Sequence, residues 1–246
     1  MALETVGLLH PGEMGAAVGA VLRGQGRRVV WASAGRSEET RARAAEADLE
    51  DVRSVSKLAE ADIVFSICPP HAALEVAGSL GSFGGVYLDA NAVSPATAAK
   101  VAEVVDTFVD GGIVGSPPRE AGTTRLYLSG EGAEEVQELF AGSVLEARVV
   151  PNASALKMAY GAWTKGTGAM LLAIRELARA EGVEDALLAE WDLSQPELRE
   201  RHERAARSAE AKGWRWVGEM EEIAASFEAV GLPGGFHRAA AEVYRR

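Results

Sequence analysis

The sequence predicts an α/β protein: a mostly parallel, doubly wound sheet over residues 1–150, followed by a small all-helical domain over residues 151–246. Three observations predict it. Short β-rich runs alternate with Ala-, Glu- and Arg-rich stretches through the first 150 residues, the pattern of a sheet covered by helices. The first of these runs ends in a glycine-rich turn that leads straight into a helical stretch. Beyond Asn152 the strand signal vanishes and helical periodicity takes over.

Taken in order, the expected strands are Thr5–Leu9, Arg28–Ala32, Ile63–Ile67, Val86–Leu88, Thr107–Asp110, Leu126–Ser129 and Arg148–Val150. The stretches between the first four are long enough for right-handed crossovers. Asn152 or Ser154 is placed to cap a long helix reaching about Arg179. Ser194, followed by Pro196, is expected to start a second, and a third is expected from about Trp214 to Val230, stopped by Gly231-Leu-Pro233-Gly-Gly. A fourth closes the chain. The break near Pro151 marks the domain boundary.

Composition narrows the class. Of 246 residues, 48% are hydrophobic and 25% charged, which is ordinary for a globular protein and speaks against disorder. No apolar run reaches the roughly 18 residues of a membrane span. The start MALETVGLLHPG lacks the basic region of a signal peptide. The single Cys68, in the apolar run DIVFSICPP, has no internal disulfide partner and reads as a buried thiol, so a cytoplasmic location is expected. A net charge of −11 argues against nucleic acid or an anionic membrane as partner. Residues 1–150 carry 12 basic against 21 acidic side chains, and residues 151–246 carry 13 against 15. An anionic ligand must therefore be held by local devices. The four histidines, at 10, 71, 202 and 237, are scattered, and no metal site is expected.

The first turn supplies such a device. Gly7-Leu-Leu-His10-Pro11-Gly12-Glu13-Met14-Gly15 joins the first strand to the helical stretch from Ala16 to Arg23. Gly12 lets backbone approach a pyrophosphate, Gly15 lets the helix pack closely, and the helix N-terminus receives the charge. It reads as a Rossmann-type dinucleotide turn in which His10-Pro11 replaces part of the G-x-G-x-x-G pattern; a glycine-rich strand–helix turn without a ligand is the competing account. His10 either contacts the cofactor or makes a different turn. At the end of the second strand, VVWASAGRS has no carboxylate to take a ribose 2′-hydroxyl; Ser33, Arg36 and Ser37 instead suit a 2′-phosphate, with Arg41 and Arg43 nearby. NADP(H) is preferred over NAD(H). The strand end Cys68-Pro69-Pro70 and Asn91 are the remaining expected cofactor contacts.

On the long helix, Leu156, Tyr160, Trp163, Thr167, Met170 or Leu171, and Ile174 form an apolar stripe, with Lys157, Gly161, Thr164 and Gly168 along its edge. A lysine beside glycines has room to act as general acid or base. Lys157 and Tyr160 are the candidate catalytic residues; spacing alone favours a surface Lys157, or Lys165 as the important lysine, and equally allows a core tyrosine at Tyr160. Asn91, Ser94, Gly115, Ser116, Lys157 and Gly161 are the candidate substrate contacts, with loop capping or a simple turn as the competing accounts for Ser94 and Ser116.

Five segments in order resemble one family. GLLHPGEMG from Gly7, DANAVSP from Asp89, DGGIVGSPP from Asp110, NASALKMAYGAWTKGTG from Asn152 and WVGEMEEIAASF from Trp216 are together similar to the β-hydroxyacid dehydrogenases. Within these, they resemble the branch with a DUF1932 C-terminal domain, a group related to the imine reductases. The resemblance implies that Lys157 is the catalytic lysine of an NAD(P)-dependent oxidoreductase acting on a carbonyl or hydroxy acid. One turn further on, the family's usual Asn is replaced here by Gly161. C=N reduction is the alternative activity, and a non-catalytic NADPH-binding module is the alternative class. A helical part of about 95 residues is small for an independent core, so a homodimer formed through its helices is expected.

Overall fold

The computed structural model describes residues 3–246. Among them, eight strands form one sheet in the order β3-β2-β1-β4-β5-β6-β7-β8. The strands are β1 (Thr5–Leu8), β2 (Arg28–Trp31), β3 (Glu50–Asp51), β4 (Ile63–Ser66), β5 (Val86–Asp89), β6 (Thr107–Gly115), β7 (Thr124–Ser129) and β8 (Leu145–Val149). Pairing is parallel throughout except between β6 and β7. Helices α1 (Glu13–Gly24), α2 (Glu38–Glu46), α3 (Ala73–Gly78), α4 (Pro95–Ala102) and α5 (Ala133–Glu138) connect and cover it.

The central strands are apolar because both of their faces are buried: every residue of β4 is enclosed. One face carries Val18 and Leu22 of α1 with Phe65, Val136 and Phe140, and the other Leu58, Val76, Tyr87 and Val101. β3 escapes sequence reading because it is a two-residue, fully exposed edge strand, Glu50-Asp51, with no hydrophobic alternation to detect. β6 runs five residues beyond its expected end, through Gly111 and Gly112. A Cβ on Gly111 would stand 2.9 Å from the Asp89 carbonyl, so only glycine lets β6 lie this close to the end of β5.

Helix α6 (Ala153–Ala180) follows. The chain divides into two compact units, Met1–Lys157 and Met158–Arg246. The first turn of α6 belongs to the sheet unit because Asp110 on β6 accepts from Ser154 N at 2.8 Å and Ser154 Oγ at 2.5 Å. Ala153 N donates to Ser129 Oγ on β7 at 2.9 Å. Asn152 caps the helix, accepting from Ala155 N at 2.7 Å.

The second unit contains the rest of α6, α7 (Glu184–Ser194), α8 (Leu198–Ala229) and α9 (Gly235–Arg245). Two helical expectations are corrected here. The helices expected near Ser194 and Trp214 are one, α8, because the intervening residues are mostly good helix formers and Gly213 is buried against Ala209 and Tyr244. The unexpected α7 starts after Gly182 (φ 70°) ends α6, and it buries Leu188 and Trp191, one turn apart. Tyr244 Oη donates to the Lys165 carbonyl at 2.6 Å, and the Lys165 ammonium pairs with buried Glu219 at 2.8 Å.

Candidate functional site

The C-terminal ends of β1, β2, β4, β5 and β6 form one edge of the parallel sheet, and most of the sequence-singled residues lie along it. Gly12 is the N-cap of α1, and its N–H donates to the His10 carbonyl at 2.8 Å. A Cβ on Gly12 would meet nothing within 4 Å, so the cradle above the helix N-terminus is open. A Cβ on Gly15 would lie 2.3 Å from the same His10 carbonyl, a collision with backbone that cannot yield. Gly15 therefore allows the turn to close onto the helix, and Pro11 is buried within that turn. Glu13 and Met14 occupy the first turn of α1.

Two polar atoms at this mouth are buried without a partner among the described residues: His10 Nδ1 and Arg36 Nε. Burial, reinforced by the Arg36 charge, holds the His10 imidazole down at about 4, so it is neutral at pH 7. Burial also lowers the Arg36 guanidinium from its ordinary value. The Arg36 charge acts on both His10, after β1, and Cys68, after β4. A buried donor without an acceptor beside an open helix N-terminus fits a phosphate group.

The loop after β2 is strongly organised. Ser33 is buried, its N–H donating to Asp51 Oδ1 at 3.2 Å and its carbonyl accepting from Arg41 Nη2 at 2.8 Å. Ser37 caps α2, accepting from Thr40 N at 3.3 Å.

At the end of β4, burial pushes the Cys68 thiol up to about 11, so it is a neutral thiol at pH 7. Pro69 and Pro70 lead into a short 3₁₀ turn over 70–72. Asn91 is buried, and both ends of its amide are engaged: Oδ1 accepts from Cys68 N at 2.5 Å, and Nδ2 donates to Ser66 Oγ at 3.0 Å. It locks the β4 and β5 ends together. Ser94 caps α4, accepting from Thr97 N at 3.2 Å, so its hydroxyl carries the capping role. Beneath them Asp89 is fully enclosed, and burial raises its carboxyl to about 6.

Lys157 stands over β6. Its ammonium donates to the Ile113 carbonyl at 2.8 Å, two residues before the strand ends at Gly115. Gly112 makes this possible: a Cβ there would lie 3.0 Å from both the Ala153 carbonyl and Lys157 Cβ. Gly115 (φ 122°) turns the chain so tightly that a Cβ would reach 2.1 Å from the Thr123 carbonyl, and the Ser116 carbonyl accepts from Thr124 Oγ1. Lys157, Gly115 and exposed Ser116 thus share one strand end.

Tyr160 and Gly161 lie in the other unit. Tyr160 is 47% exposed. A Cβ on Gly161 would stand 3.1 Å from Ile223 Cδ1 and 3.3 Å from Glu219 Oε1, so this glycine serves the packing of α6 on α8. Sequence reading missed the Asp110–Ser129–Ser154 group that anchors α6, because ordinary Ser and Asp residues far apart in the chain carry no periodic signal. Among the described residues no three His, Cys, Asp or Glu side chains are grouped to hold a metal ion, and no helix is long and apolar enough to cross a membrane.

Comparison with known proteins places this geometry. Residues 178–246 match a domain of unknown function, DUF1932. An uncharacterized 28.5 kDa protein of Methanothermus fervidus is 34% identical over 161 residues, which is 63% of this chain and 63% of that relative. A conserved protein of unknown function, described for its structural similarity to 3-hydroxyacid dehydrogenases, is 28% identical, with a TM-score of 0.70 over 98% of this chain and 97% of its own. A reductive aminase from Aspergillus terreus, in complex with NADPH, cyclohexanone and allyl amine, shares the fold at 18% identity, with a TM-score of 0.60 over 97% of this chain and 92% of its own. The C-terminal part of the chain thus matches DUF1932, and its fold is similar to that of a protein described for its structural similarity to 3-hydroxyacid dehydrogenases.

Proposed function

We propose that the protein is an NADP-dependent oxidoreductase acting on a small carbonyl or hydroxy-acid substrate, with Lys157 as general acid and base. The observation that carries the reading is the buried Arg36 Nε, a donor without a partner among the described residues, beside the open N-terminus of α1.

In this reading the α1 N-terminus with Gly12, Glu13 and Met14 holds the pyrophosphate, and Ser33, Arg36 and Ser37 hold the adenosine end. Cys68, Pro69 and Pro70 flank the nicotinamide ribose, positioned by Asn91. When bound, NADP(H) supplies or accepts the hydride. Lys157, steadied on the Ile113 carbonyl, gives its proton to a carbonyl oxygen as negative charge develops there, and takes it back in the reverse direction. Neutral His10 leaves the phosphates to Arg36 and the helix dipole. Gly115 and Ser116 line the substrate in the proposal.

C=N reduction is the second reading. It is favoured by the absence of the family's usual amide at Gly161 and by the reductive aminase among the fold relatives.

We further propose a homodimer. Tyr160, Trp163, Met170, Ile174 and Leu177 are 37–64% exposed along α6. With Thr167 they recur at alternating steps of three and four, the spacing of a helix seam that packs on another helix. A cytoplasmic location accompanies this reading.

Calorimetric titration with NADPH and NADH in parallel tests the proposal. Preferential NADPH binding, followed by turnover in a panel of hydroxy acids and cyclic imines, supports it. Binding of neither dinucleotide overturns it.

A further inference from the structure

We propose that Arg53 is an additional cation of the 2′-phosphate seat, and that Asp51 is the positioning residue that holds it there. The inference rests on the NADP reading above and adds a residue outside the β2 loop to it. Two loops are laced together at this end of the sheet. Asp51 Oδ1, at the tip of β3, accepts from Ser33 N at 3.2 Å and from Arg53 N at 2.7 Å. Ala34 N donates to the Arg53 carbonyl at 2.9 Å. The backbone of Arg53 is thereby fastened to the loop of Ser33, Arg36 and Ser37.

The lacing imposes a conformation that an arginine avoids. Arg53 has φ 71°, in the left-handed region that glycine, asparagine and aspartate adopt far more readily. A strained, bulky residue fastened to the loop of Ser33, Arg36 and Ser37 points to a functional demand on its side chain. That side chain is exposed and makes no ion pair among the described residues. The nearest carboxylate in sequence, Asp51, is occupied by two backbone N–H groups. Glu39 on the neighbouring α2 is paired with Arg43. Arg36, with its buried unpartnered Nε, and Arg41, on the Ser33 carbonyl, complete a group of three guanidinium groups borne on or fastened to one loop. Such a group suits a phosphate monoester dianion and gives no advantage to a bare ribose hydroxyl.

The test measures dissociation constants for NADPH, NADH, 2′,5′-ADP and 5′-ADP by calorimetry, with melting temperatures alongside. Arg53→Gly removes the charge and relaxes the backbone. It is expected to weaken NADPH and 2′,5′-ADP by about tenfold, to change NADH and 5′-ADP by less than about twofold, and to hold or raise the melting temperature. Arg53→Lys keeps most of the preference. Asp51→Ala weakens the phosphorylated pair selectively. If wild type prefers NADPH and Arg53→Gly leaves that preference intact, the role of Arg53 is overturned while the cofactor reading stands. If Asp51→Ala tightens NADPH, Asp51 reads the 2′-hydroxyl and the inference is overturned. Wild-type protein that binds neither dinucleotide overturns the cofactor reading itself.

Discussion

Gly112 on β6 and Lys157 on α6 are in direct contact: a Cβ built on Gly112 would stand 3.0 Å from that of Lys157 and 3.0 Å from the Ala153 carbonyl. The second neighbour is backbone at the anchored start of a helix, so it cannot move aside as a flexible side chain would. Gly112→Ala is therefore expected to cost about 1–3 kcal/mol in urea unfolding. It should also lower turnover more than cofactor affinity, because the displaced atom belongs to Lys157. Wild-type kinetics in a folded Gly112→Ala protein would show that the contact is dispensable.

Lys157 itself gives a sharper expectation. Its ammonium sits on the Ile113 carbonyl at the strand end, far in sequence from the α1 turn. Lys157→Ala should bind NADPH within about twofold of wild type while turnover falls by about 10²–10⁴, the usual range for loss of a general acid. Retained turnover removes Lys157 from the chemistry and moves attention to Tyr160.

What the sequence made legible follows from what it encodes locally. Buried parallel strands announce themselves as apolar runs, and the Gly12–Gly15 turn needs only nine consecutive residues, so the sheet and the α1 mouth could be read directly. The edge strand Glu50-Asp51 could not, since its pairing with β2 is made by backbone alone. The join of β6 to α6 was equally hidden: Asp110, Ser129 and Ser154 are polar residues that meet only after folding. For Ser94 the sequence left substrate contact and capping both open, because a Ser before a Pro serves either purpose, and in the fold its hydroxyl caps α4.

Asp110 takes three hydrogen bonds, from Ser129 Oγ, Ser154 N and Ser154 Oγ, at the start of α6. Removing the carboxylate leaves a part-buried helix N-terminus without its acceptor. Asp110→Ala is expected to cost about 3 kcal/mol, and Ser154→Ala about 1 kcal/mol, measured by chemical denaturation. If the two substitutions cost the same, the backbone bond to Ser154 N contributes nothing and the anchoring account is wrong.

Two buried groups give opposite pH slopes. Burial holds His10 at about 4 when folded, against 6.5 when unfolded, so its contribution is complete above pH 6.5 and is lost as pH falls toward 4. Burial holds Asp89 at about 6 against 3.8, so the folded state favours its protonated form and stability is lost as pH rises from about 4 to 6. Asp89→Asn removes only the second slope. The stability difference between variant and wild type should grow in the variant's favour by about 2 kcal/mol between pH 4 and pH 8, whatever constant cost the amide adds. A difference that stays flat with pH would mean that Asp89 titrates normally in the folded protein.

The exposed seam of α6 supplies the last expectation. Trp163 is 62% exposed and Leu177 64%, and the apolar positions between them keep the three-four spacing rather than scattering as surface residues do. A partner helix from a second copy of the chain would cover them, burying Trp163 near one end and Leu177 near the other. Light scattering at micromolar concentration should then give twice the chain mass of 25.9 kDa. Trp163→Asp puts an unpaired charge into that seam while leaving the monomer's own core untouched, so it should shift the mass to the monomer with circular dichroism unchanged. A wild-type monomer at this concentration, or a Trp163→Asp protein that still doubles its mass, would each exclude the seam as the dimer contact.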